Sequence, residues 1–381
     1  MIITYLGYGI CILCIAGVKT ILGSHREKDI TAAGYEPEIT MFVAAYNEID
    51  FIKVKIDNTF EINYPKEKIH YLWVTDGSDD GTTEFLRKYP EFVVLHNPER
   101  KGKISAINRG MMYVKTPVVI FSDCNSLLVK DSVRIIAAQF NDEKVGCVSG
   151  EKSIKKGKHD SASGAGEGFY WKYESLIKKS ESVLCSTVGA VGELFAIRTS
   201  LYTEIPEDTI LDDFIISMKI AMAGYRIQYC PGAIAIETAS VSIKEEMVRK
   251  VRISAGAFQS ISRLKDLLNP FRYGFLSIEY FFHKFLRWAV APFALLMILP
   301  LNIILLPAHD YLNNFYTMIF ILQILFYLLV MAGWVFENNK LKFKQFFLPY
   351  YFFVMNLSVY IGIIRYLRGN QSVKWQKAKR S

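Results

Sequence analysis

Four long stretches without a charged residue constrain the fold of this chain more than any other feature of its sequence. They are residues 1–18, 288–306, 315–336 and 346–364. Each approaches or reaches the roughly 20 apolar residues that a helix needs to cross the hydrocarbon layer of a bilayer. Between the first two, the chain keeps enough length for one soluble domain of about 200 to 250 residues. The sequence therefore predicts a membrane-anchored protein with one globular domain.

Charge beside the apolar stretches predicts their orientation. Residues 1–18 lack the basic leader and the small-residue cleavage site of a signal peptide, which favours an uncleaved anchor over that alternative. Basic residues follow within positions 19–28 and recur in the loop 337–345, whereas 307–314 is not basic, so the positive-inside rule places the soluble domain in the cytoplasm. The basic C-terminal tail disagrees if the last stretch crosses fully, and its proline, asparagine and glycine leave a re-entrant segment open. We expect a multi-pass protein of the plasma (inner) membrane.

The excess of basic residues has a simple source in the membrane flanks. The net charge of +8 accompanies basic clusters beside the apolar stretches, which suit an anionic cytoplasmic leaflet. Outside these flanks no basic segment interleaves with aromatic residues, so nucleic acid is not an expected partner. The six cysteines are scattered, which favours packing over a metal or redox role.

Between residues 38 and 150, short apolar runs alternate with amphipathic stretches. The pattern predicts strands at 39–45, 69–75, 92–96, 118–122 and 145–149. It predicts helices at 49–62, 81–88, 103–113 and 131–140. Strands alternating with helices predict an α/β domain with a mostly parallel sheet covered on both faces.

Beyond residue 150 the pattern changes. Residues 149–168 are polar, basic and rich in glycine and serine, which predicts a loop. Further helices are predicted at 169–184, 212–224 and 243–267. The predicted segments of the whole chain are an anchor (1–23), a soluble domain (24–268), an interfacial segment with mixed aromatic and basic residues (269–287), three membrane segments (288–367) and a basic tail (368–381).

Two polar loops follow predicted strands. The motif DGSDDG begins at Asp76 after one strand, and the motif DCN begins at Asp123 after another. Ligands of open α/β sheets bind beyond the carboxyl ends of the strands, so both loops are expected to face one crevice. Asp123 and Asn125 point to the same side of an extended segment, and their oxygens suit a hard divalent cation. Turn capping is the alternative for both loops.

Other candidate residues lie on predicted helices. Lys103 begins a helix whose backbone N–H groups and ammonium suit an anion. Asp212 and Asp213 begin another helix, where acidic residues stabilise the helix or, if their surroundings tune one of them, provide a general base. Arg249 and Arg252 share one helix face and suit phosphate oxygens or lipid headgroups.

The order of the motifs is more specific than any one of them. "VAAYNE", "VTDGSDDGT", "GKISAIN", "SDCNS", "GAVGELFAIR" and "LDD" followed by "MAGYR" closely resemble the successive motifs of family 2 glycosyltransferases, over about residues 38–254. The flanking apolar stretches are similar to those of the polysaccharide-synthase branch, which includes cellulose, chitin and hyaluronan synthases. The resemblance implies a GT-A fold and transfer of a sugar from a nucleotide-sugar, commonly a UDP-sugar, with inversion at the anomeric carbon.

The resemblance also implies roles for single residues. It assigns residues to the nucleoside and its phosphates: Ala44, Tyr46, Glu48, Asp76 and Lys103. It matches Asp123 and Asn125 to the D-x-D element that binds Mg²⁺ or Mn²⁺, and Asp213 to the catalytic base that deprotonates the acceptor hydroxyl. Lys103, Arg252 and the cation would supply positive charge beside the leaving diphosphate.

Three positions depart from the family pattern. Ala44 replaces a proline, and Asn125 replaces the second aspartate of D-x-D, which reduces the charge on a bound cation's ligands. The Q-x-x-R-W element of processive synthases corresponds to residues 249–253, where Ile253 replaces the tryptophan that stacks on a growing chain. We therefore expect an enzyme that adds one or a few sugars to a lipid-linked or glycan acceptor in cell-surface polysaccharide synthesis, with an export partner as a further expectation. A processive synthase, a catalytically silent membrane subunit and a transporter are the alternatives.

Overall fold

The computed structural model describes residues 3–23, 34–155, 162–238, 243–306, 314–339 and 344–374. The strands are β1 (Ile39–Ala45), β2 (Ile69–Asp76), β3 (Phe92–Asn97), β4 (Val118–Asp123), β5 (Leu127–Leu128), β6 (Val145–Lys155), β7 (Leu194–Arg198) and β8 (Arg226–Thr238). The helices of the soluble domain are α2 (Ile49–Phe60), α3 (Thr82–Leu86), α4 (Lys103–Met111), α5 (Ser132–Gln139), α6 (Ala162–Leu184), α7 (Asp212–Met222) and α8 (Ile243–Arg263). The remaining helices are α1 (Tyr8–Ile21), α9 (Pro270–Tyr273), α10 (Phe275–Tyr280), α11 (Ala291–Ile304), α12 (Phe315–Asn338) and α13 (Lys344–Leu367).

The eight strands form one mixed sheet in the order β3-β2-β1-β4-β7-β6-β8-β5. Strands β3, β2, β1 and β4 run parallel to one another, and β7 is antiparallel to both β4 and β6. The register pairs Ala44 of β1 with Asp123 of β4 and with Val74 of β2. The carboxyl ends of three parallel strands therefore meet at one edge of the sheet, as the sequence predicted.

Both faces of the sheet are buried. Met41 and Trp73 belong to the hydrophobic core on one face, while Phe42 and Phe195 belong to the core on the other. Continuous apolar strands are typical of a parallel sheet with helices on both sides. Helix α4 lies very close to β1, since a Cβ atom at Gly110 would come within 2.3 Å of the Phe42 ring. The predicted α/β fold with a mostly parallel sheet is confirmed.

The predicted loop at 149–168 is wrong at both ends. Strand β6 continues to Lys155, and α6 begins at Ala162, while residues 156–161 lie outside the described residues. The polar residues of β6 are held because they pair with β8, a strand that was not predicted from the sequence. Lys152 is fully buried there, and its ammonium is neutralised by Glu193 at 2.6 Å and by Glu237. A distant partner strand thus overrides a local composition that favours turns.

Four helices of the described chain are long and apolar enough to cross a membrane: Thr4–Ile21, Phe275–Ile304, Phe315–Asn338 and Leu348–Leu367. The second one includes α10, a wider helical stretch (Phe281–Val290) and α11, so the predicted interfacial segment and the next membrane segment share one helical rod. The last is part of a single helix, α13. Much of the basic segment 19–28 and of the loop 307–314, which support the predicted orientation, lies outside the described residues.

A buried network of charged groups joins two of these long apolar helices to α6. His283 lies between two glutamates of α6, with Nε2 at 3.0 Å from Glu174 Oε1 and Nδ1 at 2.6 Å from Glu181 Oε1. The Tyr8 hydroxyl of α1 donates to Glu181 at 2.7 Å, and Arg287 donates to Glu174 at 2.8 Å. Buried charges are tolerated only when they are paired in this way. The network therefore fixes α1 and the Phe275–Ile304 helix on the soluble domain.

Candidate active site

A cavity of about 1330 Å³ opens at the carboxyl edge of the sheet. Most of the residues assigned by sequence line it: Ala44, Tyr46, Glu48, Lys103, Asp123, Asn125, Asp213 and Arg252. They come from five separate parts of the chain, and the fold brings them together because parallel strands end at the same edge. This position is the one expected for a ligand site in an α/β domain.

Asp76 lies behind the cavity wall rather than in it. Its carboxylate is buried and accepts hydrogen bonds from the backbone N–H groups of Lys101 at 3.1 Å and Gly102 at 2.6 Å. These bonds hold the loop that leads into α4. The next residue, Gly77, has a φ of +70°, and a Cβ atom there would lie 2.6 Å from Arg100 Cβ. The carboxylate and the glycine of this motif therefore shape the loop before Lys103, and the predicted contact of Asp76 with a nucleoside stays a prediction.

The other acidic residues of the DGSDDG motif fasten the loop after β1. Asp79 accepts from Asn47 Nδ2 at 2.8 Å, and Asp80 accepts from the backbone N–H of Ile49 at 3.1 Å. Next to Asn47, the ring of Tyr46 lies 3.7 Å from the Arg100 guanidinium. The turn interpretation of these carboxylates is therefore the one that the contacts support, and the loop that they fix presents Tyr46 to the cavity.

Lys103 links the two acidic parts of the site. Its Nζ lies 2.8 Å from Asp123 Oδ1 and 3.5 Å from Asp212 Oδ2. Burial alone would lower the pKa of Lys103, but the nearby carboxylates of Asp123 and Asp212 outweigh burial and raise the pKa above its usual value. The ammonium is therefore permanently charged and neutralises part of the acidic cluster, at the first residue of α4.

Asp213 is the candidate general base, and its surroundings shift its pKa toward neutrality. Burial, followed by the neighbouring charge of Asp212, raises the pKa of Asp213 to about 7, while Lys103 partly opposes this shift. A base works best when its pKa lies near the working pH, because it is then both deprotonated and basic enough to take a proton. Gly192 leaves room for the carboxylate, since a Cβ atom at that position would lie 2.9 Å from Asp213 Oδ2.

The residues after β4 fit a divalent cation. Asn125 Oδ1 is buried and has no hydrogen-bond partner among the described residues, and the Asp123 carboxylate faces the same cavity. No group of three or more His, Cys, Asp or Glu residues suitable for a metal occurs in the described part of the chain. One or two protein ligands completed by substrate phosphate and water are typical of Mg²⁺, so this donor set suits a cation that binds together with a diphosphate.

The two arginines predicted to share a helix face have different surroundings. Arg249 lies within 4 Å of three carboxylates, those of Glu193, Glu237 and Glu246. The only hydrogen bond found for Arg252 in the described part of the chain is with the Ile210 carbonyl, at 3.5 Å from Nη1, and the carboxylates of Asp212, Asp213 and Asp123 act on its charge from beyond ion-pair distance. Arg252 is therefore the one of the two whose charge is left for an anionic ligand.

One supporting residue was missed by sequence reasoning. Lys55 of α2 is fully buried, and its ammonium donates to Ser122 Oγ at 2.7 Å and to the Ser126 carbonyl at 2.6 Å. These two residues flank the candidate cation ligands Asp123 and Asn125. A lysine in an amphipathic helix is usually solvated, and no signal in the sequence distinguishes this one.

Comparisons with known proteins identify the family. The family model described as "Glycosyltransferase like family 2" matches residues 37–256, more than half of the chain. Poly-beta-1,6-N-acetyl-D-glucosamine synthase of Staphylococcus aureus (strain MSSA476) is 27% identical over 235 residues, which cover 59% of this chain and 56% of that protein. The chain thus spans about half the length of this curated relative. "Probable glycosyltransferase YdaM" of Bacillus subtilis (strain 168) is 23% identical over 382 residues, covering 90% of this chain and 87% of that protein.

A solved structure shows the same fold. The mannosyltransferase PcManGT from Pyrobaculum calidifontis, in complex with GDP-Man and Mn²⁺, matches 95% of this chain and 98% of its own length with a TM-score of 0.64 and 21% sequence identity. The GT-A architecture predicted from the motifs is confirmed. The prediction of an enzyme of this family is confirmed as well, because the chain belongs to glycosyltransferase-like family 2.

Proposed function

We propose that the protein transfers a sugar from a nucleotide-sugar, of which a UDP-sugar is the first candidate, to a lipid-linked or glycan acceptor at the membrane surface, with inversion at the anomeric carbon. The observation that carries this proposal is the placement of Asp213 and Asp123 in one cavity, joined through Lys103 and Asp212. A carboxyl group with a pKa of about 7 suits an acceptor hydroxyl that must lose its proton during attack.

The charged residues that line the cavity support the assignment of a nucleotide-sugar as the donor. Asp123 and Asn125 would hold Mg²⁺ or Mn²⁺, and the cation would offset negative charge on the leaving diphosphate when bound. Arg252 and Lys103 add positive charge at the same cavity. The names of similar proteins agree with such a donor, since one is described with GDP-Man and Mn²⁺ and another as a poly-N-acetylglucosamine synthase.

Each residue of the reaction has a separate task. Asp213 accepts the proton of the attacking hydroxyl, and burial together with the neighbouring charge of Asp212 raises the pKa of Asp213 enough for it to do so. Lys103 and Arg252 orient the diphosphate and favour its departure as negative charge develops. Such a displacement needs no covalent intermediate, which agrees with a single candidate base on the acceptor side.

A processive polysaccharide synthase is the second candidate, because the relative of Staphylococcus aureus has a polymer in its name. Against this, Ile253 lines the cavity and offers no aromatic face at the position where processive synthases carry tryptophan. We therefore propose the addition of one or a few sugars, in the assembly of a cell-surface polysaccharide. Long polymer made by the purified protein alone would contradict this part of the proposal.

The setting that we propose is the plasma (inner) membrane, with the soluble domain in the cytoplasm and a separate partner for export. The four apolar helices support a membrane setting, and nucleotide-sugars are cytoplasmic donors. A catalytically silent subunit is the alternative from another class. A silent subunit does not need a base whose pKa is shifted toward neutrality beside a candidate cation site.

The direct test is a donor screen. Full-length protein in detergent is incubated with UDP-, GDP- and dTDP-sugars and Mn²⁺, and released nucleotide is measured. We expect release with one donor class, dependence on the cation, and loss of transfer in Asp213→Asn. A variant at the exposed Asp208, Asp208→Asn, is the matched control and should behave as the wild type. No release with any donor would support the silent subunit instead.

A further inference from the structure

The cavity extends past Asp213 toward the Phe275–Ile304 helix. Trp288 of this helix lines the cavity together with Lys178 of α6. The Trp288 ring packs edge-on against the ring of Phe214, with 5.1 Å between ring centroids and an interplanar angle of 62°. Phe214 directly follows Asp213 in α7, so the indole contacts the residue that comes after the candidate base.

Lys178 is a buried ammonium that has no carboxylate in direct contact among the described residues, although Glu174, Glu181 and Asp213 act on its charge from farther away. Its residue is 4% exposed, and its Nζ donates to the Gly189 carbonyl at 2.9 Å. Among the described residues no carboxylate lies within 4 Å of this Nζ, whereas the neighbouring Lys284 is paired with Glu174. Burial lowers the pKa of Lys178 to about 8, with Lys284 adding to the shift, so the group still carries its proton at neutral pH. An ammonium has three N–H donors, and among the described residues one of them is used by the Gly189 carbonyl.

These two side chains come from elements other than those assigned to the donor. The donor side is formed by Lys103 and by the loop after β4, whereas Lys178 and Trp288 come from α6 and the membrane helix. We propose that Trp288 and Lys178 form the acceptor subsite, and that this subsite takes the terminal sugar ring of a glycan. The indole packs against the apolar face of the ring, and the ammonium donates to its hydroxyl oxygens. The inference rests on the proposed function and names the acceptor of the same site.

The chemistry favours a sugar over a lipid phosphate at this subsite. A phosphate would call for several cations with free charge, but Lys284 and Arg287 are both paired with Glu174. An indole supplies a large rigid apolar face with a low cost in conformational entropy, which suits a sugar ring. Trp288 therefore offers an aromatic face to one terminal ring from the Phe275–Ile304 helix, whereas Ile253 offers none at the position that processive synthases use.

The test is direct binding of an acceptor analogue to the full chain in detergent. A β-linked N-acetylglucosamine pentasaccharide is titrated calorimetrically in the presence of UDP and Mn²⁺. We expect Trp288→Ala to weaken binding at least tenfold, Trp288→Phe to weaken it less, and Lys178→Met to weaken it severalfold. Trp334→Ala is the matched control, because Trp334 lies on α12 with 55% of its surface exposed, and it should bind within twofold of the wild type.

Two outcomes would overturn the subsite. One is pentasaccharide binding by Trp288→Ala with the affinity of the wild type. The other is a wild-type protein that does not bind the pentasaccharide, whether or not it binds a polyprenyl phosphate. Because the titration needs no turnover, its result is separate from the donor screen, in which absence of nucleotide release would refute the proposed function itself. Should Trp288→Ala fail to fold, Trp288→Phe and Lys178→Met provide the same comparison.

Discussion

Replacement of Asp213 by asparagine removes the candidate base while keeping the size of the side chain. General bases contribute about 10²- to 10⁴-fold to a rate, so we expect kcat to fall by that factor. Donor binding should stay close to that of the wild type, because the candidate cation ligands are Asp123 and Asn125. The wild-type rate should rise about tenfold per pH unit below pH 7 and level off above it, since Asp213, with a pKa of about 7, acts only when deprotonated.

The same substitution has a consequence for stability, with a definite sign. Burial raises the pKa of Asp213 from 3.8 to about 7, so the folded protein favours the protonated form. The stabilising contribution of that protonated form is complete below pH 3.8 and is lost as the pH rises through 7. A shift of this size corresponds to at most about 4 kcal/mol. The side chain lines an open cavity, so we expect a gain of about 1 to 2 kcal/mol for Asp213→Asn above pH 7, or a few degrees in melting temperature.

Nucleotide release and donor binding are measured across about pH 5.5 to 9, a range that brackets a pKa of about 7. Thermal melting is measured at both ends of this pH range. Asp208→Asn serves as the control, because Asp208 is exposed and pairs with Arg263 outside the cavity. A donor affinity that falls in step with kcat would refute the assignment of Asp213 as the base. So would an Asp213→Asn variant whose residual rate keeps the pH profile of the wild type.

Three further predictions follow from contacts around the cavity. Asp123→Ala should weaken donor binding in Mn²⁺ and make the affinity independent of the cation, which titrations with and without Mn²⁺ would show. Lys55→Met leaves the Ser122 hydroxyl and a buried carbonyl without their donor, and we expect it to destabilise the protein by about 1 to 3 kcal/mol in thermal melts. Gly192→Ala should lower kcat, because its Cβ would press on Asp213 Oδ2 at 2.9 Å, whereas Gly232→Ala, with its nearest neighbour at 3.4 Å, should leave kcat unchanged.

Much of the sheet was predictable because its strands are strong local signals. Strand β1 begins and ends at the predicted residues, and β2, β3 and β4 each extend one residue beyond their prediction. Strand β8 was not named, since Pro231 and Gly232 interrupt its apolar pattern. It forms because it pairs with β6 over a long distance in sequence, and such pairing leaves little trace in local composition.

The residues of the candidate site also divide into those that could be placed from the sequence and those that could not. Residues at the ends of parallel strands and at helix starts, such as Asp123 and Lys103, could be placed because topology alone brings them to one edge. Lys55, Lys178 and Trp288 could not, since their roles depend on which face of a helix packs inward. The position of the motif around Asp76 was predicted from the sequence. Only the structure shows that the Asp76 carboxylate accepts hydrogen bonds from backbone N–H groups of the loop before α4.

The charged network around His283 determines which truncations of this protein keep its buried charges paired. A fragment that starts after residue 23 loses the hydroxyl that Tyr8 gives to Glu181, and one that stops before Phe275 loses the imidazole between the two glutamates. The first truncation removes a hydrogen-bond donor of the buried Glu181. The second leaves the buried Glu174 without Lys284 and Arg287, and loss of such a counter-ion costs several kcal/mol per broken pair. For expression and for chimeras, the smallest unit to transplant is therefore the soluble domain together with both of these helices, exchanged as one set.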